Sequence, residues 1–327
     1  LKVVGGLDNY VNDYHKIIEV ECTKCGNRSV GSLRNFQHGR CFSCHPGGFI
    51  AQEEIAAWIE SLGLVVKRND RTRLDSNLVL DIFVEDRSFG VEYNGLYWHS
   101  YVNKSSSYHS NKTKAAEKKG ITLYHVFEDE WRDKREIVKS MIESKLGLTK
   151  NKIGARECTI REMTTQERKS FFQTNHIDGD VASVVAFCLT GQTGEIVYAI
   201  SLRKPLHKRD GMIEVARCCS AIGFSVTGGL SRLIKFASLW SRENSYTKMM
   251  TYVDTRFGGS GVGYKKAGLK EVRRTEPRFW WTDFDNRHNR FKFRADPDRG
   301  LSESAVGDRE GVVKIYGCEN VVLEVEL

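Results

Sequence analysis

Asp81 and Glu92 lie in the stretch Leu78–Ser100, LVLDIFVEDRSFGVEYNGLYWHS, which reads as two apolar strands joined by a polar turn at Glu85–Ser88. A turn centred on Asp86–Arg87 pairs Val84 with Phe89, and therefore Asp81 with Glu92. Directly opposed residues share a face, with Cβ atoms roughly 4.5–5.5 Å apart. Two carboxylates that close repel, and each is costly in an otherwise hydrophobic strand. A divalent cation between them is the simplest compensation, and hard oxygen ligands suit magnesium. The plainer alternative is a strand pair with two solvent-facing acids, since a turn shifted by one residue separates the side chains.

The surrounding elements must position such a pair. After Trp98 and His99 a polar linker leads to a helix over about Tyr108–Lys119, stopped by Gly120. On that helix His109, Lys112, Ala115 and Ala116 share one side, and Lys114 points elsewhere. Lys112 thus sits in the apolar arc, either snorkelling to the edge or aimed at a site. A strand over Ile121–Phe127 follows. Upstream, a helix over Gln52–Leu62 carries core positions Ile55, Trp58, Ile59 and Leu62, with Glu54 bordering that face.

The order of helix, acidic hairpin, helix with an inward lysine, and strand resembles the PD-(D/E)xK nuclease superfamily. More narrowly, Glu92-Tyr93-Asn94-Gly95-Leu96-Tyr97-Trp98-His99-Ser100 followed by Tyr108-His109-Ser110-Asn111-Lys112-Thr113 resembles phage-encoded homing-type endonucleases, themselves similar to very-short-patch-repair endonucleases. The resemblance implies that Asp81 and Glu92 bind a catalytic Mg2+, and that Glu54 on the first helix approaches it. Asn94 stands where the superfamily has a lysine. Lys112 is the candidate to replace it, with His99 and His109 as rivals for proton transfer. The implied activity is metal-dependent hydrolysis of DNA phosphodiesters.

A second strong pattern lies near the N-terminus. Cys22-Thr-Lys-Cys25 and Cys41-Phe-Ser-Cys44 are CxxC pairs separated by 15 residues, the spacing of a four-cysteine structural zinc site. Cys41–His45 also matches the CxxCH haem-attachment pattern, and a disulfide pair is the structural alternative. Four thiolates leave no open position, so one structural Zn2+ per chain is expected. Lys16, Lys24, Arg28, Arg34, His38 and Arg40 surround the pairs and suit a small ribbon touching DNA phosphates.

Beyond Lys150 the pattern becomes strand-rich. Strands over Glu195–Leu202 and Gly211–Ser220 precede Gly228-Gly229, a helix at about Leu230–Ser241 and a strand at Met249–Asp254. A glycine-rich loop, a short helix over Gly263–Ala267 and a strand at Leu269–Arg274 follow. This order resembles the GNAT acetyltransferase fold, in which a glycine turn and helix N-terminus hold the coenzyme A pyrophosphate. Ser225-Val226-Thr227-Gly228-Gly229 departs from the family's Q/R-x-x-G-x-G/A spacing, and Tyr264 lies near the place of its acid tyrosine. Arg278, Trp280, Arg287, Arg290, Lys292 and Arg294 interleave basic and aromatic residues, a strip suited to phosphates and bases, or to half-buried strands with a basic face.

Lys+Arg of 50 against Asp+Glu of 42 gives a net charge of +8 over 327 residues, compatible with a nucleic-acid partner but common without one. The cysteines at 158, 188, 218, 219 and 318 lack ligand spacing and read as thiols in a reducing cytoplasm. No run approaches the length of a membrane span, and LKVVGGLDNY lacks a signal-peptide pattern. The expectation is an α+β chain with a zinc ribbon (1–48), a PD-(D/E)xK-like mixed sheet with flanking helices (49–150) and a GNAT-like α/β domain (151–327). Its expected function is a Mg-dependent endodeoxyribonuclease acting in the cytoplasm on double-stranded DNA. The alternatives are an acyltransferase with a DNA-targeting module and a non-catalytic DNA-binding protein.

Overall fold

The computed structural model describes residues 1–4, 17–32, 36, 41, 48–75, 78–206, 210–295 and 300–327. Chain contacts divide it into two compact units, Leu1–Ser61 and Leu62–Leu327. Cys44 and the basic positions Lys16, Arg34, His38 and Arg40 lie outside the described residues. No described helix is long and apolar enough to cross a membrane.

The first unit holds β1 (Lys2–Val3), β2 (Ile17–Glu21) and β3 (Arg28–Ser32) in one antiparallel sheet, then α1 (Gly48–Ser61). On α1, Ile55 and Ile59 are fully buried, as the helical spacing requires, and Glu54 is half-buried.

The second unit begins with β4 (Val66–Asp70), β5 (Leu80–Val84), β6 (Phe89–Asn94), α2 (Tyr108–Lys118) and β7 (Thr122–Phe127). The sheet order is β4-β5-β6-β7, with β4, β5 and β6 antiparallel and β7 parallel to β6. Val84 pairs with Phe89 and Ile82 with Val91, the register expected from the hairpin. Gly90 lets β6 and β7 approach, because a Cβ there would stand 2.9 Å from Leu123 Cδ1. Two helices, α3 (Glu128–Asp133) and α4 (Arg135–Leu146), follow; Gly147 ends α4 in the left-handed conformation at φ 76°.

The remainder comprises β8 (Asn151–Gly154), β9 (Thr159–Glu162), α5 (Thr165–Asn175), β10 (Val185–Thr190), β11 (Ile196–Arg203), β12 (Met212–Ser220), β13 (Phe224–Thr227), α6 (Gly229–Glu243) and β14 (Lys248–Asp254). Then come α7 (Val262–Lys266), β15 (Lys270–Arg274), β16 (Phe279–Thr282), β17 (Arg287–His288), α8 (Glu303–Arg309), β18 (Val313–Tyr316) and β19 (Asn320–Glu326). A seven-stranded sheet runs β15-β19-β14-β12-β11-β10-β9, in which β11, β12, β14 and β15 fall where the sequence pattern placed strands. Its core joins Phe187, Leu189, Ile200 and Ile213 to Leu233 and Ala237 of α6 and to Leu323 of β19. The three-stranded sheet β17-β16-β18 and α8 are an insertion between β15 and β19 that the sequence pattern does not announce.

The two parts of this unit are stitched together. Isolated bridges pair Ser100 with Ile315 and Tyr124 with Phe257. Leu96 and Phe127 share a buried cluster with Trp280 and Ile315.

Candidate functional sites

The acidic hairpin brings its predicted residues together. The Lys112 ammonium, buried on α2, donates to Glu92 Oε2. The Tyr93 N–H donates to Asp81 Oδ2 at 3.0 Å, and the Asp81 N–H donates to Glu92 Oε1 at 3.3 Å. Burial, reinforced by Asp81, pushes Glu92 up to about 8, and burial also raises Asp81. Burial alone would lower Lys112, but the two carboxylates hold it charged. Two acids facing one ammonium therefore favour one bound proton. Lys112 thus brings a positive charge to both carboxylates.

Beside this pair, His99 Nδ1 and His109 Nε2 are 2.9 Å apart. His125 lies next to Glu92 in the β6–β7 register; its Nε2 is 2.9 Å from Thr113 Oγ1 and its Nδ1 is 3.4 Å from Asn94 Nδ2. Burial, then Lys112, lowers His109 to about 3; burial, then His109, takes His99 and His125 well below their usual range. All three are neutral near pH 7, where they relay hydrogen bonds without carrying charge. His125 and Thr113 were missed by the sequence reading, although strand alternation puts His125 on the face of Glu92. Lys114, exposed on the other side of α2, donates to Glu319. Glu54 lies on α1 of the first unit.

The basic–aromatic strip is corrected in half of its members. Arg278 donates to Asp178 Oδ2 at 2.9 Å, Arg287 donates to Asp129 Oδ1 at 2.9 Å, and Trp280 is buried. Both guanidiniums stack on Trp280 at 4.6 Å. Arg256, fully buried just after β14 and bonded to Glu130 at 2.6 and 2.8 Å, and Arg287 of β17 tie their segments to α3, while Arg278 ties the start of β16 to Asp178 after α5. Burial opposes the charge on Glu130, yet Arg256 and Arg287 hold it down at about 2. Arg290, Lys292 and Arg294 remain exposed.

In the first unit, the Sγ atoms of Cys22, Cys25 and Cys41 lie within 4.8 Å of one another, Cys25 and Cys41 at 3.7 Å. N–H groups of Cys25 and Lys24 lower the Cys22 thiol to about 6, and the Gly26 N–H closes the turn on the Cys22 carbonyl at 2.9 Å. Thiolates gathered this way fit a soft metal ion, so the cluster can hold one.

The seven-stranded sheet carries a third site. β12 and β14 pair in parallel only from Met212–Lys248 to Val215–Thr251. Ala216 is left out of the β11–β12 ladder, since Ser201 pairs with Arg217 and Leu202 with Val215. The bulge bends β12 away from β14 and opens a splay. Tyr198 Oη lies 3.1 Å from Cys218 Sγ there, and Tyr264 hydrogen-bonds to Cys218 and Thr251. Gly228, left-handed at φ 79°, caps the N-terminus of α6 and leaves that end exposed.

No protein-family model and no curated protein matches the chain. Solved structures similar to it include an IAA acetyltransferase from Bacillus cereus, 12% identical, with a TM-score of 0.33 over 52% of this chain and 99% of that one. A GNAT family acetyltransferase from Elizabethkingia anophelis with acetyl-CoA bound is 16% identical with a TM-score of 0.33, and a Bacillus subtilis acetyltransferase in complex with CoA is 13% identical with a TM-score of 0.34; each covers 52% of this chain and 99% of its own. These are transferases, whereas the acidic hairpin pointed to a hydrolase. The expectation of a Mg-dependent endodeoxyribonuclease is corrected accordingly and is not carried further.

Proposed function

We propose that the chain is an acyl-CoA-dependent acyltransferase, with residues 151–327 as the transfer domain and the preceding residues as a DNA-targeting part. The observation that carries this reading is the splay between β12 and β14, which opens beside the exposed N-terminus of α6. The first-turn N–H groups of any helix lack intrahelical partners and, with the helix dipole, favour an anion such as a diphosphate. An acyl-CoA supplies that diphosphate together with an activated thioester. Burial raises Tyr264 well above its usual range, so its Oη holds a proton through neutral and basic pH, beside the sulfur of Cys218. The resemblance of the hairpin segment to DNA-acting proteins supports the targeting role.

A second reading, a GNAT-like scaffold in a non-catalytic DNA-binding protein, is favoured by one feature. The N–H groups of Ala221, Ile222 and Gly223 before α6 already donate to Val197 O, Asn175 Oδ1 and Ser140 Oγ. Calorimetric titration with acetyl-CoA separates the two. The transferase reading expects binding by the parent, weakened about tenfold or more by Ser231→Glu, because the new charge faces the diphosphate. Ser231 is exposed in the first turn, where an acid stabilises the helix by about 0.3–1 kcal/mol, so thermal stability should hold or rise. No binding by the parent, or equal binding by Ser231→Glu, supports the scaffold reading instead.

A further inference from the structure

An aromatic and cationic surface, distinct from the locked half of the basic strip, runs across the β16–β18 insertion. Tyr101 stands 60% exposed, its ring centroid 5.7 Å from that of Tyr316, which is in turn 5.7 Å from Phe279. Arg290 lies over Phe279 at 4.9 Å and over Phe291 at 5.9 Å, and Lys314 lies over Phe279 at 5.0 Å. Phe291, 45% exposed, ends the row with Arg294 stacked on it at 4.2 Å. Glu303 faces this row, 3.7 Å from Arg290. The surface is held in shape from beneath, since Ser100 bridges to Ile315 and the Tyr101 N–H donates to the Lys314 carbonyl at 2.8 Å.

We infer that the surface formed by Tyr101, Tyr316, Phe279, Arg290, Lys314 and Phe291 binds an unpaired nucleic-acid strand. Open rings at both ends offer faces to bases, and the cations between them meet the phosphates. The bases of a duplex are already stacked on each other, so a duplex can use the cations but not the rings. Fixed aromatic side chains also lose little conformational freedom on binding. This inference does not depend on acyl transfer.

Fluorescence anisotropy of the full chain with labelled oligo(dT), oligo(rU) and a DNA duplex, each of about 20 nucleotides or base pairs, tests it. Both single strands should bind at least about tenfold more tightly than the duplex at one salt concentration, and Tyr101→Ala/Phe291→Ala should remove about tenfold or more of that affinity. Both substituted rings are exposed, so the unfolding temperature should match the parent's. Arg290→Ala and Lys314→Ala should each reduce the salt slope by about 0.7. Single-strand affinity unchanged in the double aromatic variant, tighter binding of duplex, or no single-strand binding would each overturn the inference. A difference between oligo(dT) and oligo(rU) identifies which strand chemistry the surface prefers.

Discussion

Lys112 faces the buried Glu92 and the half-buried Asp81, and its removal leaves both without its counter-charge. Lys112→Met should cost about 3–5 kcal/mol in urea unfolding at pH 7, the range for breaking a buried pair. Adding Glu92→Gln should recover part of that loss; a loss below about 1 kcal/mol in the single variant would show the contact to be idle. The imidazoles make a separate prediction. His109 is lowered to about 3 and its neighbours lie well below their usual range. The unfolded chain therefore binds protons that the folded chain does not. Stability should fall as pH drops below about 6.5, by about 1.4 kcal/mol per pH unit for each histidine, and His109→Asn should remove one such share. An acid limb identical to the parent's would contradict this. Asp81, Glu92 and Lys112 were legible because hairpin register and helical period act over short sequence distances. The neutrality of the histidines was not, because it comes from burial under β7 and the β18 segment.

Between elements, Glu130 of α3 holds Arg256, just after β14, and Arg287 of β17. Glu130 is held at about 2, below its ordinary 4.5. Its contribution is therefore present above pH 4.5 and lost as pH falls toward 2. Glu130→Gln should cost about 3–5 kcal/mol at pH 7, with the gap to the parent closing in acid. A constant gap across that window would mean the loss is packing alone. This lock was hidden in the sequence: Arg256 lies 126 residues from Glu130, and no local period links them. Trp280 and Arg287 read equally well as a stacking strip, and only the packing of the insertion decided between the readings. The cysteine cluster was legible from its spacing. Elemental analysis should find one zinc per folded chain, lost in Cys22→Ser/Cys25→Ser; a zinc-free folded protein would contradict the proposed ion.

Across the whole chain, the Leu62–Leu327 unit joins a mixed four-stranded sheet to a seven-stranded one. The succession of β11, β12, α6, β14, α7 and β15 along the chain was legible from the pattern after Lys150; the place of β19 between β14 and β15 in the second sheet was not. The β12 bulge that opens its splay was not legible, because Val215-Ala216-Arg217 carries no glycine or proline to mark it. We propose that this splay and the N-terminus of α6 hold an acyl-CoA. Hydrogen–deuterium exchange with and without acetyl-CoA tests it most directly. Slower exchange is expected at 227–232 and in the C-terminal halves of β12 and β14, with the acidic hairpin unchanged. Uniform exchange with saturating acetyl-CoA, or protection confined to other segments, would contradict it.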